Sequence, residues 1–250
     1  MEKIRKMKKW ILYILLSVIF LYLWQYFGNQ HSNVRLLISS PILIVTYFAE
    51  NMKDLLYATL TTLTEALTGL LIATIFSFSM MIFCFYKPKI MSFILPIMVT
   101  SQVVPLIVLA PFFIILFGLG LSSKIAMASL MCFFPIFINF AQGYKAISRN
   151  IHELMYIYNA PLRFRIKQVY FPLSMGSIMA GLKISTTLSI IGAIVAEFSG
   201  ANIGLGKNLF ISALRLEPEL MMSSLLLSTA IGLGLFHVIK FFETKYTNWV

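Results

Sequence analysis

The chain consists of long apolar runs that are separated by short polar segments. A transmembrane helix needs about 20 predominantly apolar residues. Charge-free runs of at least that length occupy residues 10–34, 66–86, 90–123, 125–144 and 220–239. A sixth run, residues 168–196, is interrupted only by Lys183. This pattern predicts an all-α, polytopic membrane protein with six transmembrane helices.

The third apolar run, residues 90–123, is too long for one straight span, since a helix of that length would measure about 50 Å. Pro96, Pro105 and Pro111 each remove a backbone donor and bend a helix. Freed carbonyl groups are tolerated in a membrane where they face protein or a water-lined cavity. We therefore expect a broken helix, which either lines a path or is kinked only to fit its neighbours, and a short outer turn at residues 118–123.

A polar and mostly basic segment, residues 150–172, separates the fourth and fifth runs. Asn150 is suited to cap a helix, and Glu153 stands three residues later, where a capping box places its carboxylate. Asn159 is of a type that stops a helix in the left-handed conformation, and Pro161 suits the first turn of a second helix. The segment is therefore predicted to form a helix, a sharp turn and another helix.

Composition and charge favour the membrane class over a nucleic-acid-binding protein. Hydrophobic residues make up 59% of the chain and charged residues 12%, against about 25% charged residues in soluble proteins. The net charge of +11 comes from short basic loops. Of the 20 Lys and Arg residues, the outer loops of a six-span topology with an inner amino terminus hold only Arg35, Lys53, Lys124, Lys207 and Arg215. By the positive-inside rule, both termini and residues 150–172 are expected in the cytoplasm.

The amino-terminal region is expected to remain attached as the first span. Its apolar run is long for a signal-peptide core, and no small-residue cleavage site follows. Residues 41–48 form an amphipathic pattern that suits the membrane interface. We therefore divide the chain into residues 1–55, a transmembrane helix with an outer interfacial segment, and residues 56–245, the main transmembrane domain.

Three ionisable residues fall within or at the ends of predicted spans. Lys183 lies about ten residues into the fifth span, where an ammonium group costs at least about 2.5 kcal/mol unless it pairs, snorkels or meets water. It is either a pathway group or a lysine that reaches back toward the inner face or pairs with a carbonyl group. Glu197 ends the same span and either caps a loop or touches solute. Glu65 lies near the outer end of the second span, where we expect a solvated side chain.

Residues 150–172 resemble the cytoplasmic signature of bacterial ABC-importer permeases, which reads Glu-Ala-Ala, three residues, Gly, nine residues, Ile-x-Leu-Pro. Glu153 begins it, Asn159 occupies the glycine place and Pro172 ends it, with the spacing kept. The same likeness is carried by Val104-Pro105-Leu106, Ala110-Pro111, Phe117-Gly118-Leu119-Gly120, Cys132-Phe133-Phe134-Pro135 with Asn139, Gly181-Leu182-Lys183 and Ala196-Glu197-Phe198. The chain is similar to the nitrate, sulfonate and taurine branch of binding-protein-dependent inner membrane components, which also contains permeases for thiamine precursors and riboflavin.

This resemblance implies the type I ABC importer permease fold, with a cytoplasmic coupling helix near residues 148–169. It implies a multi-pass protein of the bacterial cytoplasmic (inner) membrane whose partners are cytoplasmic ABC ATPase subunits, an extracytoplasmic solute-binding protein and a second copy of itself. The residues expected to contact the ATPase are Glu153, Leu154, Tyr156, Ile157, Tyr158, Asn159, Ala160 and Arg163. The candidates for the translocation path are Pro105, Lys183 and Glu197.

The chain itself is not expected to be an enzyme or to bind a cofactor, because ATP and Mg would be bound by the ATPase subunit. The solute is left open among sulfonates, taurine, nitrate and vitamin or pyrimidine precursors. A rival hypothesis is an ion-coupled secondary transporter or channel that uses Glu65, Lys183 and Glu197. A polytopic enzyme acting on lipid is a second rival, but it requires polar residues that converge at one depth, and the sequence offers isolated ones.

Overall fold

The computed structural model describes residues 2–30 and 39–247, and every regular element within these ranges is helical. The main helices are α1 Glu2–Gln30, α2 Pro41–Glu50, α3 Met52–Tyr86, α4 Pro88–Ser101, α5 Ala110–Phe117, α6 Leu121–Lys145, α7 Arg149–Ile157, α8 Met175–Phe198, α9 Leu205–Arg215 and α10 Pro218–Thr247. A 3-10 turn at Leu106–Leu109 precedes α5, and a π-helix at Arg165–Tyr170 lies between α7 and α8. The predicted all-α fold is confirmed.

Within the described residues, the helices α3, α6, α8 and α10 are long and apolar enough to cross a membrane. They correspond to four of the six predicted spans. The first predicted span appears as the shorter apolar stretch 12–28 of α1, and the third as the shorter helices α4 and α5. The far end of the first predicted run and Arg35 lie outside the described residues.

The third apolar run is broken, as predicted. Helix α4 runs through Pro96 and ends at Ser101, and residues 102–105 are not helical. Pro105 stands just before the 3-10 turn. Pro111 lies in the first turn of α5, where an N–H group has no partner within the helix, so its absence costs no helical hydrogen bond. The turn to α6 is shorter than predicted, because α6 already begins at Leu121.

Helices α6 and α8 form the centre of the bundle and approach each other closely. A Cβ atom at Gly192 would stand 2.8 Å from the Cα atom of Ala128, so this contact requires glycine. Further along the same two helices, the Cys132 thiol donates to the Ser185 carbonyl oxygen at 3.2 Å. The Ser185 hydroxyl donates to the Cys132 carbonyl oxygen at 3.1 Å. The small residues of the fifth run therefore let α8 pack closely against α6.

The largest group of buried apolar residues joins α3, α4 and α6 to the segment around the π-helix. Met81, Phe137 and Phe140 are among its fully buried members. Tyr170, the last residue of the π-helix, is 5% exposed and belongs to the same group. The polar segment between α6 and α8 is thus anchored on the core at one end of the bundle.

Candidate functional site

The segment Ser148–Pro172, which we call the elbow, has the predicted helix, turn and second helix. Helix α7 begins two residues earlier than predicted, since its N-cap is Ser148, which makes no side-chain cap hydrogen bond. The predicted capping box of Asn150 with Glu153 is therefore wrong. Glu153 instead accepts a hydrogen bond from Arg149 Nε at 2.7 Å. Both side chains are exposed, so this pair contributes only about 0.3–0.5 kcal/mol.

The turn of the elbow forms as the residue types predict. Asn159 has a φ of 47°, in the left-handed region that ends helices. The Ala160 amide reaches back to the Met155 carbonyl oxygen at 3.1 Å and closes the turn. The Arg165 guanidinium also stabilises the turn, because Nε donates to the Ala160 carbonyl oxygen at 2.6 Å. Pro161 then serves as the cap of the short helix Leu162–Phe164.

One surface of the elbow is apolar and uncovered. No residue of α7 is buried. Tyr156, Ile157 and Tyr158 are 79%, 76% and 74% exposed, and Leu154 is 47% exposed. Arg163 is also exposed on the following helix. Exposed aromatic and aliphatic side chains grouped in a polar segment mark a surface that another molecule covers.

The other side of the elbow is fixed to the bundle by an aromatic cluster that the sequence interpretation missed. It consists of Phe85 at the end of α3, Tyr144 at the end of α6, His152 on α7 and Tyr170 on the π-helix. The ring of Tyr144 stands 4.9 Å from Phe85, 5.1 Å from Tyr170 and 5.4 Å from His152, in edge-to-face geometries. His152 Nδ1 lies 3.4 Å from the Tyr170 hydroxyl. The elbow is therefore packed directly against the ends of α3 and α6.

The three candidates for the path lie in three different surroundings. Pro105 is exposed at the break of the third run. Lys183 Nζ donates to both carboxylate oxygens of Glu243 on α10, at 2.7 and 2.8 Å. Glu197 is 1% exposed and is enclosed by α3, α8 and α9. The structure does not bring these three side chains together.

Glu197 holds the loop between α8 and α9. The Thr62 hydroxyl donates to Glu197 Oε1 at 2.7 Å, and the Gly206 amide donates to Oε2. The Leu205 amide donates in turn to Thr62 Oγ1 at 2.9 Å. Two backbone amides from the first turn of α9 are thereby satisfied by side chains from α3 and α8. This is the loop-capping alternative of the two that the sequence leaves open.

Glu65 lies beside Glu197, and the prediction that it is solvated is wrong. It is 1% exposed, and its carboxyl group lies close to the Glu197 carboxyl group. The nearby Lys124 ammonium, 3% exposed, donates to the carbonyl oxygens of Leu119 and Gly120 at 2.6 and 3.0 Å. A buried polar layer therefore joins the loops at the end of the bundle that carries α9.

Breaking the Lys183 pair has an expected effect on stability. The side chains of Lys183 and Glu243 are 24% and 22% exposed, so the Lys183→Met variant should lose about 1–3 kcal/mol of unfolding free energy, between the values for exposed and buried pairs. The charge exchange of Lys183→Glu with Glu243→Lys should recover most of the loss. Thermal melting in detergent measures both, with Arg149→Met as the control that breaks an exposed pair. Equal melting temperatures for Lys183→Met and Arg149→Met would contradict the pair's contribution.

Comparison with known proteins identifies the family. The family model described as binding-protein-dependent transport system inner membrane component matches residues 69–246. The formylaminopyrimidine transport permease protein ThiX of Halalkalibacterium halodurans is 34% identical over 171 residues, 68% of each chain. A probable ABC transporter permease protein of Haemophilus influenzae is 29% identical over 245 residues, 98% of each chain.

A further relative is the putative aliphatic sulfonates transport permease protein SsuC of Bacillus subtilis, 23% identical over 98% of this chain and 90% of its own. The relatives are transport permeases, and the helical bundle with its apolar spans is the type I ABC permease fold expected from the sequence. The family model covers well over half of the chain, and the chain therefore belongs to the ABC transporter permeases of binding-protein-dependent transport systems.

Proposed function

We propose that this chain is the membrane permease of an ATP-driven importer in the bacterial inner membrane, working as a pair of identical subunits. Two cytoplasmic ATPase subunits bind the elbows, and a solute-binding protein docks at the opposite end of the bundle. ATP and Mg bind to the ATPase subunits, and this chain does no chemistry itself. Both termini lie in the cytoplasm. The solute is small, since relatives are named for a formylaminopyrimidine and for aliphatic sulfonates.

The observation that carries the proposal is the two-sided construction of the elbow. Its uncovered side presents Tyr156, Ile157 and Tyr158, the kind of helix surface that enters a groove on a partner. Its covered side is fixed by Tyr144 and Tyr170 to the ends of the spanning helices. A segment that is free on one side and rigidly attached on the other is suited to transmit movement from a partner to the bundle.

The mechanism follows from this attachment. When the ATPase pair closes on ATP, it moves the two elbows toward each other. Tyr144 and Phe85 pass the displacement to α6 and α3, and the π-helix passes it to α8. The path between the two permease subunits opens toward the opposite side as a result. Arg163, which is exposed beside the turn, meets the acidic rim of the ATPase groove or lipid headgroups.

The rival hypothesis of an ion-coupled transporter is not favoured. Two of its three ion carriers are bonded to groups of the protein: Glu197 accepts hydrogen bonds from Thr62 and Gly206, and Lys183 pairs with Glu243. Glu65 is enclosed next to Glu197. The relatives carry the names of ABC transporter permeases. A gradient-driven carrier also leaves the exposed apolar surface of the elbow without a purpose.

Reconstitution tests the proposal directly. The purified chain is placed in proteoliposomes alone, with its ATPase subunit, and with the ATPase subunit and the solute-binding protein. Solute uptake is expected only in the complete system and only with ATP and Mg. Uptake by the chain alone, driven by an ion gradient, would establish the rival hypothesis instead.

The orientation of the elbow gives a second prediction. Cysteine is introduced by Tyr156→Cys, and by Asn202→Cys in the exposed loop between α8 and α9 as the matched control. The natural Cys84 and Cys132 are 1% and 0% exposed, so they contribute little background. A membrane-impermeant maleimide should label Asn202→Cys in whole cells and Tyr156→Cys only in inverted vesicles. Labelling of Tyr156→Cys in whole cells would refute the coupling role of the elbow.

A further inference from the structure

The broken third run borders a groove that contains an unusual set of side chains for a membrane surface. The groove has a volume of about 520 Å³ and lies between the end of α4, the middle of α6 and α8. Its walls combine apolar side chains such as Phe134 and Leu188 with three carboxamides, those of Gln102, Asn139 and Gln142. A volume of this size is in the range of small-molecule sites.

The three carboxamide groups have donors and acceptors that are not occupied by hydrogen bonds to the described residues. Asn139 Nδ2 donates to the Pro135 carbonyl oxygen at 2.8 Å, and within the described part of the chain no donor reaches the Asn139 side-chain oxygen. Neither the Gln102 nor the Gln142 side chain has a hydrogen-bond partner among the described residues. An amide without a partner costs several kcal/mol in hydrocarbon. These side chains therefore face water or a bound molecule, and the groove is part of an aqueous path.

The backbone at the rim of the groove supports this placement. Residues 102–105 are not helical, and Pro105 has no amide hydrogen to donate. Irregular backbone at membrane depth persists only where it is buried in protein or lines a water-filled space. Gln102 is both the first residue of the break and a wall of the groove. The non-helical backbone and the carboxamides both indicate that this surface is in contact with water.

The charge of the groove narrows the class of solute. Every residue that lines it, as far as the structure describes the chain, is uncharged. An adjoining groove that shares Gln142 reaches Lys145, and another that shares Ile184 and Leu188 reaches Lys183. The other candidate charge, Lys183, is matched by Glu243. An anion or a quaternary ammonium bound among the carboxamides would lose its hydration without gaining a counter-charge.

We propose, on the basis of the proposed importer function, that Gln102, Asn139 and Gln142 form a subsite for an uncharged nitrogen heterocycle with both donor and acceptor groups, such as an aminopyrimidine. A carboxamide offers two donors and an acceptor, which pair with the amino groups and ring nitrogens of such a solute. Phe134 and Met131 supply the apolar surface for its ring.

The first test measures uptake by the complete transporter with labelled aminopyrimidine. Gln102→Leu and Gln142→Leu should each lower uptake about tenfold, because a donor or acceptor on the solute then loses its partner. The melting temperature should stay at the level of the unmodified protein. Ser79→Ala, which removes an exposed hydroxyl bonded only to its own helix, is the matched control. Uptake by the leucine variants equal to that of the control would overturn the proposal.

The second test does not depend on ATP, so it separates the subsite from the importer function. Ile184→Cys, on the wall of the same groove, leaves all three carboxamides in place, and it is labelled with a small maleimide in the purified permease pair, in the presence of aminopyrimidine, taurine or choline. Aminopyrimidine should slow the labelling at least about tenfold, whereas taurine and choline should not, and Ser79→Cys should react equally in all three. Protection by taurine or choline, or no protection by aminopyrimidine, would overturn the subsite even if the complex hydrolyses ATP as an importer.

Discussion

The Ile157→Asp variant is expected to lose its ATPase subunit while it remains folded. Ile157 is 76% exposed and lies at the end of α7, between two exposed tyrosines. Since the side chain is not part of the core, the change should not alter the melting temperature. In the complex, however, the aspartate would have to enter an apolar groove and lose its hydration. Loss of such a central contact costs about 2–4 kcal/mol, which weakens binding about 30- to 1,000-fold.

Copurification of the ATPase subunit and ATP hydrolysis in nanodiscs measure this effect. The matched control is Leu214→Asp, which places the same charge at a similarly exposed leucine, 69% exposed, on α9 at the opposite end of the bundle. The control should retain the ATPase subunit. If Ile157→Asp copurifies with the ATPase as well as Leu214→Asp does, the elbow is not the coupling element.

The Gly204→Ala variant is expected to be the most destabilised single substitution in the loop between α8 and α9. Gly204 has a φ of 145°, and a Cβ atom there would stand 2.2 Å from Glu197 Oε1. The strain of that backbone conformation costs about 1–3 kcal/mol for a residue other than glycine. The collision costs about another 1–3 kcal/mol, because Glu197 cannot move away without leaving Thr62 and Gly206 unsatisfied.

Thermal melting of the purified protein checks this prediction, and Gly118→Ala provides the control. Gly118 also has a positive φ, 80°, but no atom of the described residues lies within 4 Å of the Cβ position. Its alanine variant therefore reports the backbone strain alone. The melting temperature of Gly204→Ala should fall well below that of Gly118→Ala. Equal values would mean that the Glu197 carboxylate does not hold the loop rigidly.

The local features of the elbow were predictable because they depend on single residue types. Asn159 takes the left-handed conformation and Pro161 caps the next helix, each by its own backbone preference. The start of α7 was harder to predict, since both Ser148 and Asn150 are good N-cap residues. The structure selects Ser148, and this choice pairs Glu153 with Arg149 instead of with the cap.

The pairings across the bundle were not predictable from the sequence. Thr62 and Glu197 meet although they are 135 positions apart, and no local pattern links them. The same applies to Lys183 and Glu243, 60 positions apart. Hydropathy locates each of these residues along its own helix, but only helix packing determines which faces meet. The interpretation of Glu65 failed for this reason, since its depth was predicted and its neighbour was not.

The carboxamides of the groove show a related difficulty. Gln102, Asn139 and Gln142 each lie within a long apolar run, where a single amide hardly changes the hydropathy. These side chains line one groove because the break at residues 102–105 brings the end of α4 beside α6. The prolines predicted that a break would form within the third run. They did not specify which polar side chains the break would bring together.

The reciprocal bonds between Cys132 and Ser185 restrict how this protein changes shape. Each side chain donates to the carbonyl oxygen of the other residue, so axial sliding of α6 against α8 by even one residue would sever both bonds at once. The two helices are therefore expected to rotate and translate as a single rigid body throughout a transport cycle. Relative motion must then take place elsewhere, and the non-helical stretch 102–105 is suited to act as its flexible joint.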